Sequence, residues 1–448
     1  MRAWIAGQVV VLGVLALLTA GGGALRAGPA VEPSRYQSVD ERAYARLARN
    51  LARHGRYSAP EMSDPVRWPP GAPAAFALAQ ELHPIPSKRW DVPSAYPLQW
   101  AFSTATIPAA FALALVLAGP LAGLLAAAAV AAYPPLISST GDLLTEPLGA
   151  LMLTIALTAV VLALRRRTLG WAAMAGLLLG LTVLVRADLV GVPFLLVVLL
   201  GAVAWRAEGR RRGLVLAGTM LAGVIVPTAP WSAYASSVAG KPVPVSSGGA
   251  SNLFVGTYVP GGGSMFGLKR ELAGEVGRLY PELRGEPAFR LPQQKVIDAV
   301  AARRPRLDRE SALRAAALEN VREHVLGDPV GFAGMSVEKV WRLWGNYTVG
   351  TFRTRRAWIT ALHLLLVAVG AAGLAVGLAR GPRRAGLAVV AIVVLYVTAV
   401  NVVLVSEARH NLPIMPVLVA GGIAGLAGLR GLVARQAPHA GVVADRPA

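Results

Sequence analysis

The stretch Asp142–Asp188, DLLTEPLGALMLTIALTAVVLALRRRTLGWAAMAGLLLGLTVLVRAD, decides the fold. It holds two apolar runs, Leu143–Leu164 and Leu169–Val185, divided by Arg165, Arg166 and Arg167. Each has roughly the 17–25 residues that carry a helix across about 30 Å of hydrocarbon. Arginines in a short connection keep that connection on the cytoplasmic side. The pair is therefore a helical hairpin. Its far ends, with Asp142, Glu146, Arg186 and Asp188, lie together on the opposite side.

The same pattern recurs outward from this hairpin. Further apolar stretches are Trp4–Leu25, Ala95–Ala118, Leu121–Ile137, Leu189–Trp205, Leu214–Trp231, Trp358–Leu378, Ala385–Val405 and Leu412–Leu429. The expected fold is an all-α polytopic membrane protein of about ten transmembrane helices. Threading the spans alternately puts Arg206 with Arg210–Arg212, Arg380 with Arg383 and Arg384, and Arg430 with Arg435 beside the first arginine cluster. Arg2 falls on that side too, so both termini are expected in the cytoplasm. The Ala, Gly, Arg and Val content suggests a GC-rich bacterial genome, hence a bacterial plasma membrane.

Composition agrees with this reading. Of 448 residues 55% are hydrophobic, and the mean hydropathy is +0.53. The net charge of +20 belongs largely to the cytoplasmic arginines, which meet anionic lipid heads. It is not a nucleic-acid signal. The chain has no cysteine, which excludes disulfides, a thiolate nucleophile and a cysteine metal site. The first span also admits a signal-peptide reading, with Gly28 and Ala30 near a cleavage site; cleavage would leave the downstream orientation unchanged.

Four regions follow: a transmembrane module over 1–231 with its first outer loop at 26–94, an exterior loop over 232–356, C-terminal spans over 357–435, and a disordered tail over 436–448. In the first outer loop, Ser38-Val39-Asp40-Glu41 has the spacing of a capping box. Tyr44, Leu47, Ala48 and Leu51 share one face of the helix that follows, which Gly55 ends. An amphipathic helix beside a span is expected to lie on the membrane surface. Trp68-Pro69-Pro70-Gly71 reads as a rigid turn. In the long loop, Gly248–Gly263 reads as flexible. Asp308–Trp344 reads as helical with a break at Gly327-Asp328-Pro329, and Leu313, Leu318, Val321 and Val325 mark its apolar face.

The candidate chemistry lies at the exterior ends of the spans. Asp40 and Glu41 can be helix-capping acids, or Asp40 can be a general base while Glu41 caps. Asp142 can cap the fourth span or, four residues before Glu146, share its helix face. Glu146 falls about one turn inside an apolar span, where a charge is costly and usually functional. Arg186 with Asp188, and Arg409 with His410, read either as buried ion pairs or as sites favouring a phosphate. Lys241, Arg67 and Lys88 are weaker cationic candidates. His83 near Glu81 raises the question of a divalent metal ion, but the histidines show no ligand spacing.

The motifs together resemble those of the GT-C membrane glycosyltransferases. The residues that carry the likeness begin with Asp40-Glu41-x-x-Tyr44, Ala48-Arg49-Asn50-Leu51, Gly55-x-Tyr57 and Pro69-Pro70-Gly71. They continue through Thr145-Glu146-Pro147-Leu148, Pro230-Trp231 and Asp328-Pro329 to Trp344, and end at Arg409-His410-Asn411-Leu412-Pro413. The chain is most similar to the protein O-mannosyltransferase and aminoarabinose-transferase group. That resemblance implies inverting transfer on the exterior face, from a polyprenyl-phosphate sugar to a hydroxyl of a protein, lipid or glycan. It implies that Asp40 activates the acceptor and Glu146 orients acceptor or sugar. Arg186, Arg409 and His410 would meet the phosphate. The family more often has a dozen or more spans than ten. A transporter or lipid flippase, and a non-catalytic membrane assembly partner, are the alternatives; polar groups at the bilayer midplane would mark the first.

Overall fold

A computed structural model describes residues 2–32, 38–58, 65–87, 91–347, 356–380 and 383–436. The tail beyond 436 and Lys88 fall outside the described residues. The described residues form helices joined by turns. In the N-terminal half these are α1 (Arg2–Val31), α2 (Val39–His54), α3 (Gly71–Leu82), α4 (Ala95–Ala118), α5 (Pro120–Ala131) and α6 (Pro134–Ser138). Four longer helices follow: α7 (Glu146–Arg166), α8 (Leu169–Val185), α9 (Val192–Glu208) and α10 (Arg210–Ala239). The polar region holds α11 (Gly249–Thr257), α12 (Met265–Glu271), α13 (Ala273–Leu279), α14 (Gln293–Ala302), α15 (Arg309–Asn320) and α16 (Pro329–Trp344). The chain returns to apolar helices at α17 (Ala357–Arg380), α18 (Arg384–Val403) and α19 (Met415–Gln436).

All ten expected apolar stretches are helical, but they are not equal. Seven described helices are long and apolar enough to cross a membrane, and an eighth is the pair α5–α6 if its 58° bend is one span. Leu169–Val185 and Met415–Gly428 are shorter apolar helices. The third stretch is thus bent where a straight span was expected. Pro134 begins its second piece, since proline cannot donate to the preceding turn. The bend frees the last carbonyls of α5, and Arg26 satisfies them. Its guanidinium donates to Val130 O at 2.8 Å and Ala131 O at 3.0 Å, and also to Ser103 Oγ at 2.9 Å. Broken helices persist in apolar surroundings only where such groups find partners.

Small residues bring neighbouring helices together. A Cβ at Gly176 of α8 would lie 2.0 Å from Met220 O of α10. A Cβ at Gly373 of α17 would lie 2.1 Å from Gly422 O of α19. Without a hydrophobic drive between helices in lipid, this close backbone approach is what holds such pairs. The arginine-rich connections gather at one end of the bundle. Arg167 pairs with Glu208 at 2.9 Å, Arg212 donates to Arg167 O at 2.6 Å, and Arg383 donates to Leu117 O at 2.5 Å.

At the other end sit two helical lobes. Ser38 and Glu41 form the expected capping box on α2, and Gly55, at φ 62°, closes it. The apolar face of α2 is covered by protein, a difference from the surface helix expected. Tyr44, Ala45 and Ala48 pack with Phe76 of α3 and with Leu143 and Leu144. Fully burying Leu47 contributes about 1.5–3 kcal/mol. In the long loop, 249–257 is helical where a flexible loop was expected. Phe254 and Val255 explain it: both are buried in a separate core with Leu268, Val296 and Leu313. Leu313 takes part in the apolar face as expected, but Leu318 is exposed.

Lys339 of α16 ties this outer lobe to the bundle. It is fully buried. Its Nζ donates to Gly256 O of α11 at 2.8 Å and to Val402 O of α18 at 2.6 Å. Burial pushes its pKa down from 10.5 to about 7. The unfolded chain therefore binds the proton more tightly. Stability rises with pH between about 7 and 10.5 and is flat below that window, by up to about 1.4 kcal/mol per unit. Wild-type protein is expected to gain more thermal stability between pH 7 and 9 than Lys339→Met. Equal slopes in a melting series would contradict this account of Lys339.

Candidate functional site

At the polar end of the bundle, five parts of the chain bring charged side chains to one cavity of about 210 Å³. The start of α2 brings Asp40, and the turn before α3 brings Arg67 and Trp68. Glu146 comes from the first residue of α7, and Arg186 and Asp188 from the tight α8–α9 connection. Glu407, Arg409 and His410 come from the segment between α18 and α19. These are ends that alternate threading puts on one side.

Asp40 sits among hydrogen-bond donors. Arg409 Nη2 donates to its Oδ2 and pairs with it. Trp68 Nε1 donates to Oδ1 at 3.1 Å. Burial alone would raise the Asp40 carboxyl, but Arg409 and these donors outweigh it and hold it below the usual carboxylate range. Arg409 is itself held by Glu407, which accepts from its Nε at 2.8 Å. Arg186 makes a two-point contact with Asp188 at 3.1 and 2.8 Å, and its Nη1 lies 3.9 Å from Glu146 Oε1. Glu146 Oε2 is buried with no hydrogen-bond partner. A buried acceptor left open in a cavity invites a ligand donor.

Several expectations change in the structure. Glu146 is the first residue of its helix, not a turn inside it. Asp142 is extended, so it neither caps α7 nor shares a helix face with Glu146. Both its oxygens are buried without partners, and it does not line the cavity. Burial, then Glu41 and Glu146, push its carboxyl well above the usual range, so it is a poor phosphate ligand. Glu41 is occupied structurally: Ser38 N donates to Oε2 at 2.8 Å and Leu143 N to Oε1 at 3.1 Å. It clamps α2 to the segment that leads into α7. His410 lines the cavity, but burial pushes its pKa down to about 4. Its Nδ1 lies 2.7 Å from Asn401 Oδ1, so the neutral ring adds no positive charge. Lys241 is paired with Glu310 and lines a neighbouring cavity instead.

Trp68 and Glu407 were not among the expected site residues. Trp68 looked like part of a turn, and Glu407 precedes a short arginine–histidine motif whose partners lie far off in sequence. No spacing rule links either to Asp40.

Among the described residues, no three His, Cys, Asp or Glu side chains group to hold a metal ion. His83 and Glu81 therefore have no third ligand. The carboxylates around the cavity face arginines, Asp40 and Glu407 at Arg409, Glu146 and Asp188 at Arg186. This donor set does not fit a resident divalent ion.

No protein-family model and no curated protein matches the chain. Solved structures do. The archaeal oligosaccharyltransferase AglB from Archaeoglobus fulgidus, in complex with an inhibitory peptide and a dolichol-phosphate, is similar over 99% of this chain at 15% identity, with a TM-score of 0.54. The chain has the GT-C fold. It spans 53% of the AglB chain. ArnT from Cupriavidus metallidurans, bound to undecaprenyl phosphate, is 15% identical over 97% of this chain and 80% of its own, with a TM-score of 0.41.

Within this GT-C frame, Trp68 is expected to position Asp40 and keep it ionised. Trp68→Phe removes one donor, so the acidic limb of a pH–rate profile should move to higher pH. A merely structural role would lower the rate at every pH without moving the limb.

Proposed function

We propose that this GT-C protein is a membrane glycosyltransferase. It moves a sugar from a polyprenyl-phosphate donor to an acceptor hydroxyl, with inversion, on the exterior face. The observation that carries this reading is one cavity holding an ionised carboxylate beside two arginines, at the end of the bundle away from the arginine-rich connections. Cytoplasmic arginines would put that cavity outside. AglB, whose fold is similar, was solved with a dolichol-phosphate and a peptide, which supports a lipid phosphate as the donor's carrier here.

The chemistry follows from the charges. Asp40 accepts the acceptor's hydroxyl proton as the oxygen bonds to the anomeric carbon. The bond from that carbon to the phosphate oxygen breaks on the opposite face. Polyprenyl phosphate leaves with the electron pair, and negative charge grows on it. Arg409 and Arg186 are placed to meet that charge. Arg409 would then serve both groups, holding Asp40 ionised before transfer and the phosphate during it. Glu146 Oε2 receives a hydroxyl of sugar or acceptor.

Membranes holding wild type are expected to transfer label from a radiolabelled polyprenyl-phosphate sugar. Asp40→Asn should lower transfer by about 10²–10⁴-fold, with expression retained. Full activity in Asp40→Asn would remove Asp40 from the mechanism. Inactivity of wild type across several donor sugars would count against the reading as a whole.

A further inference from the structure

Protein leaves an apolar stripe on α16 uncovered. Val330, Val337 and Trp341 are 81%, 71% and 60% exposed, and Ala333 and Gly334 are exposed between them. At about 3.6 residues per turn these five share one side of the helix. The opposite side holds the buried Met335, Lys339 and Leu343. Glu338 and Arg342 stand only at the edge of the stripe. A contiguous run of large apolar side chains left in the open marks an interaction surface.

Contacts on the buried side set the depth of the helix. Lys339 Nζ donates to Val402 O at the end of α18, and Ser406 Oγ donates to Lys339 O at 3.1 Å. Further along α16, Trp344 Nε1 donates to Thr398 Oγ1 of α18 at 3.0 Å. Trp344 O accepts from His363 Nε2 of α17 at 2.9 Å. At about 1.5 Å per residue, Thr398 lies about 8 Å and His363 about 9 Å inside the outer ends of their spans. The last turn of α16 therefore descends beside two apolar spans, below their outer ends. Leu395 and Val403 of α18 and Trp358 of α17 are exposed on those spans. Tryptophan concentrates where membrane meets water, and Trp341 and Trp358 both sit near these outer ends.

We propose that α16 docks on the outer leaflet of the bilayer, with Val330, Val337 and Trp341 among the acyl chains just beneath the headgroups. The long polar loop is then not wholly aqueous: one of its helices is anchored in lipid. Asn401 and Leu404, close to Val402, line the cavity that holds Asp40. The docked helix sets that cavity at headgroup level, where a lipid-borne phosphate lies. This last consequence rests on the transferase reading; the docking does not.

The absence of cysteine makes a site-directed label the direct test. Val337→Cys places one nitroxide on the full-length protein in vesicles of phosphatidylethanolamine and phosphatidylglycerol. The side chain it replaces is exposed, so the fold is left intact. Arg314→Cys, at a side chain 69% exposed on α15, gives the aqueous reference. Collision with oxygen, relative to a water-soluble nickel chelate, should be severalfold higher at 337 than at 314. The label at 337 should lie about 5–10 Å below the headgroup boundary. Equal ratios at the two positions, with the chelate reaching both, overturn the proposal. Dipolar broadening at 337 that disappears on dilution with unlabelled protein would put a second copy on the stripe, and overturns it too.

Discussion

The ion pair between Asp40 and Arg409 is the constraint on which the site depends. It joins residues 369 positions apart and ties the first outer loop to the segment before the last helix. Charges drawn partly out of water are costly unless matched. Here each is matched more than once: Arg409 by Asp40 and Glu407, Arg186 by Asp188 and Glu146. Removing Arg409 leaves both Asp40 and Glu407 without their cation, so the first loop and the end of α18 cannot drift apart cheaply. The clamp from Glu41 to Leu143 N separately ties α2 to the approach to α7.

This arrangement also explains how a membrane protein can hold an ionised base. Asp40 lies where burial would neutralise it, and Arg409 with Trp68 reverse that tendency. His410, in the same cavity, goes the other way: burial, with Arg186 and Arg409 nearby, outweighs Glu407 and Asp188 and keeps it neutral. Neighbouring groups thus take opposite protonation behaviour from their immediate contacts, as pKa tuning at reactive sites requires.

Much of the fold was legible because lipid imposes a simple rule on the chain. Apolar length gave the helices, and arginine position gave a consistent side. Asp40, Glu146, Arg186 and Arg409 were recognisable because each sits where a span ends. What remained hidden depended on contacts between distant segments. The bend after Ala131 looks like continuous apolar sequence, and Arg26, which satisfies it, looks like a loop residue. The helix at 249–257 is set by burial of Phe254 and Val255 against the outer lobe, overriding its Gly and Ser content. Asp142 and Glu146 share a helical spacing, yet the helix starts only at Glu146, because Gln99 donates to the carbonyls of Asp142 and Leu144 and holds that segment.

The central claim is that Arg409 and Arg186 receive the donor's phosphate within reach of Asp40. A cryo-EM structure of the full chain in nanodiscs with a polyprenyl phosphate tests it most directly. The phosphate is expected between the two guanidinium groups, in the cavity lined by Asp40 and Glu146, with the tail leaving into the bilayer. A phosphate seated at the arginine-rich connections of the opposite end, with Arg409 and Arg186 still closed on their carboxylates, would contradict it.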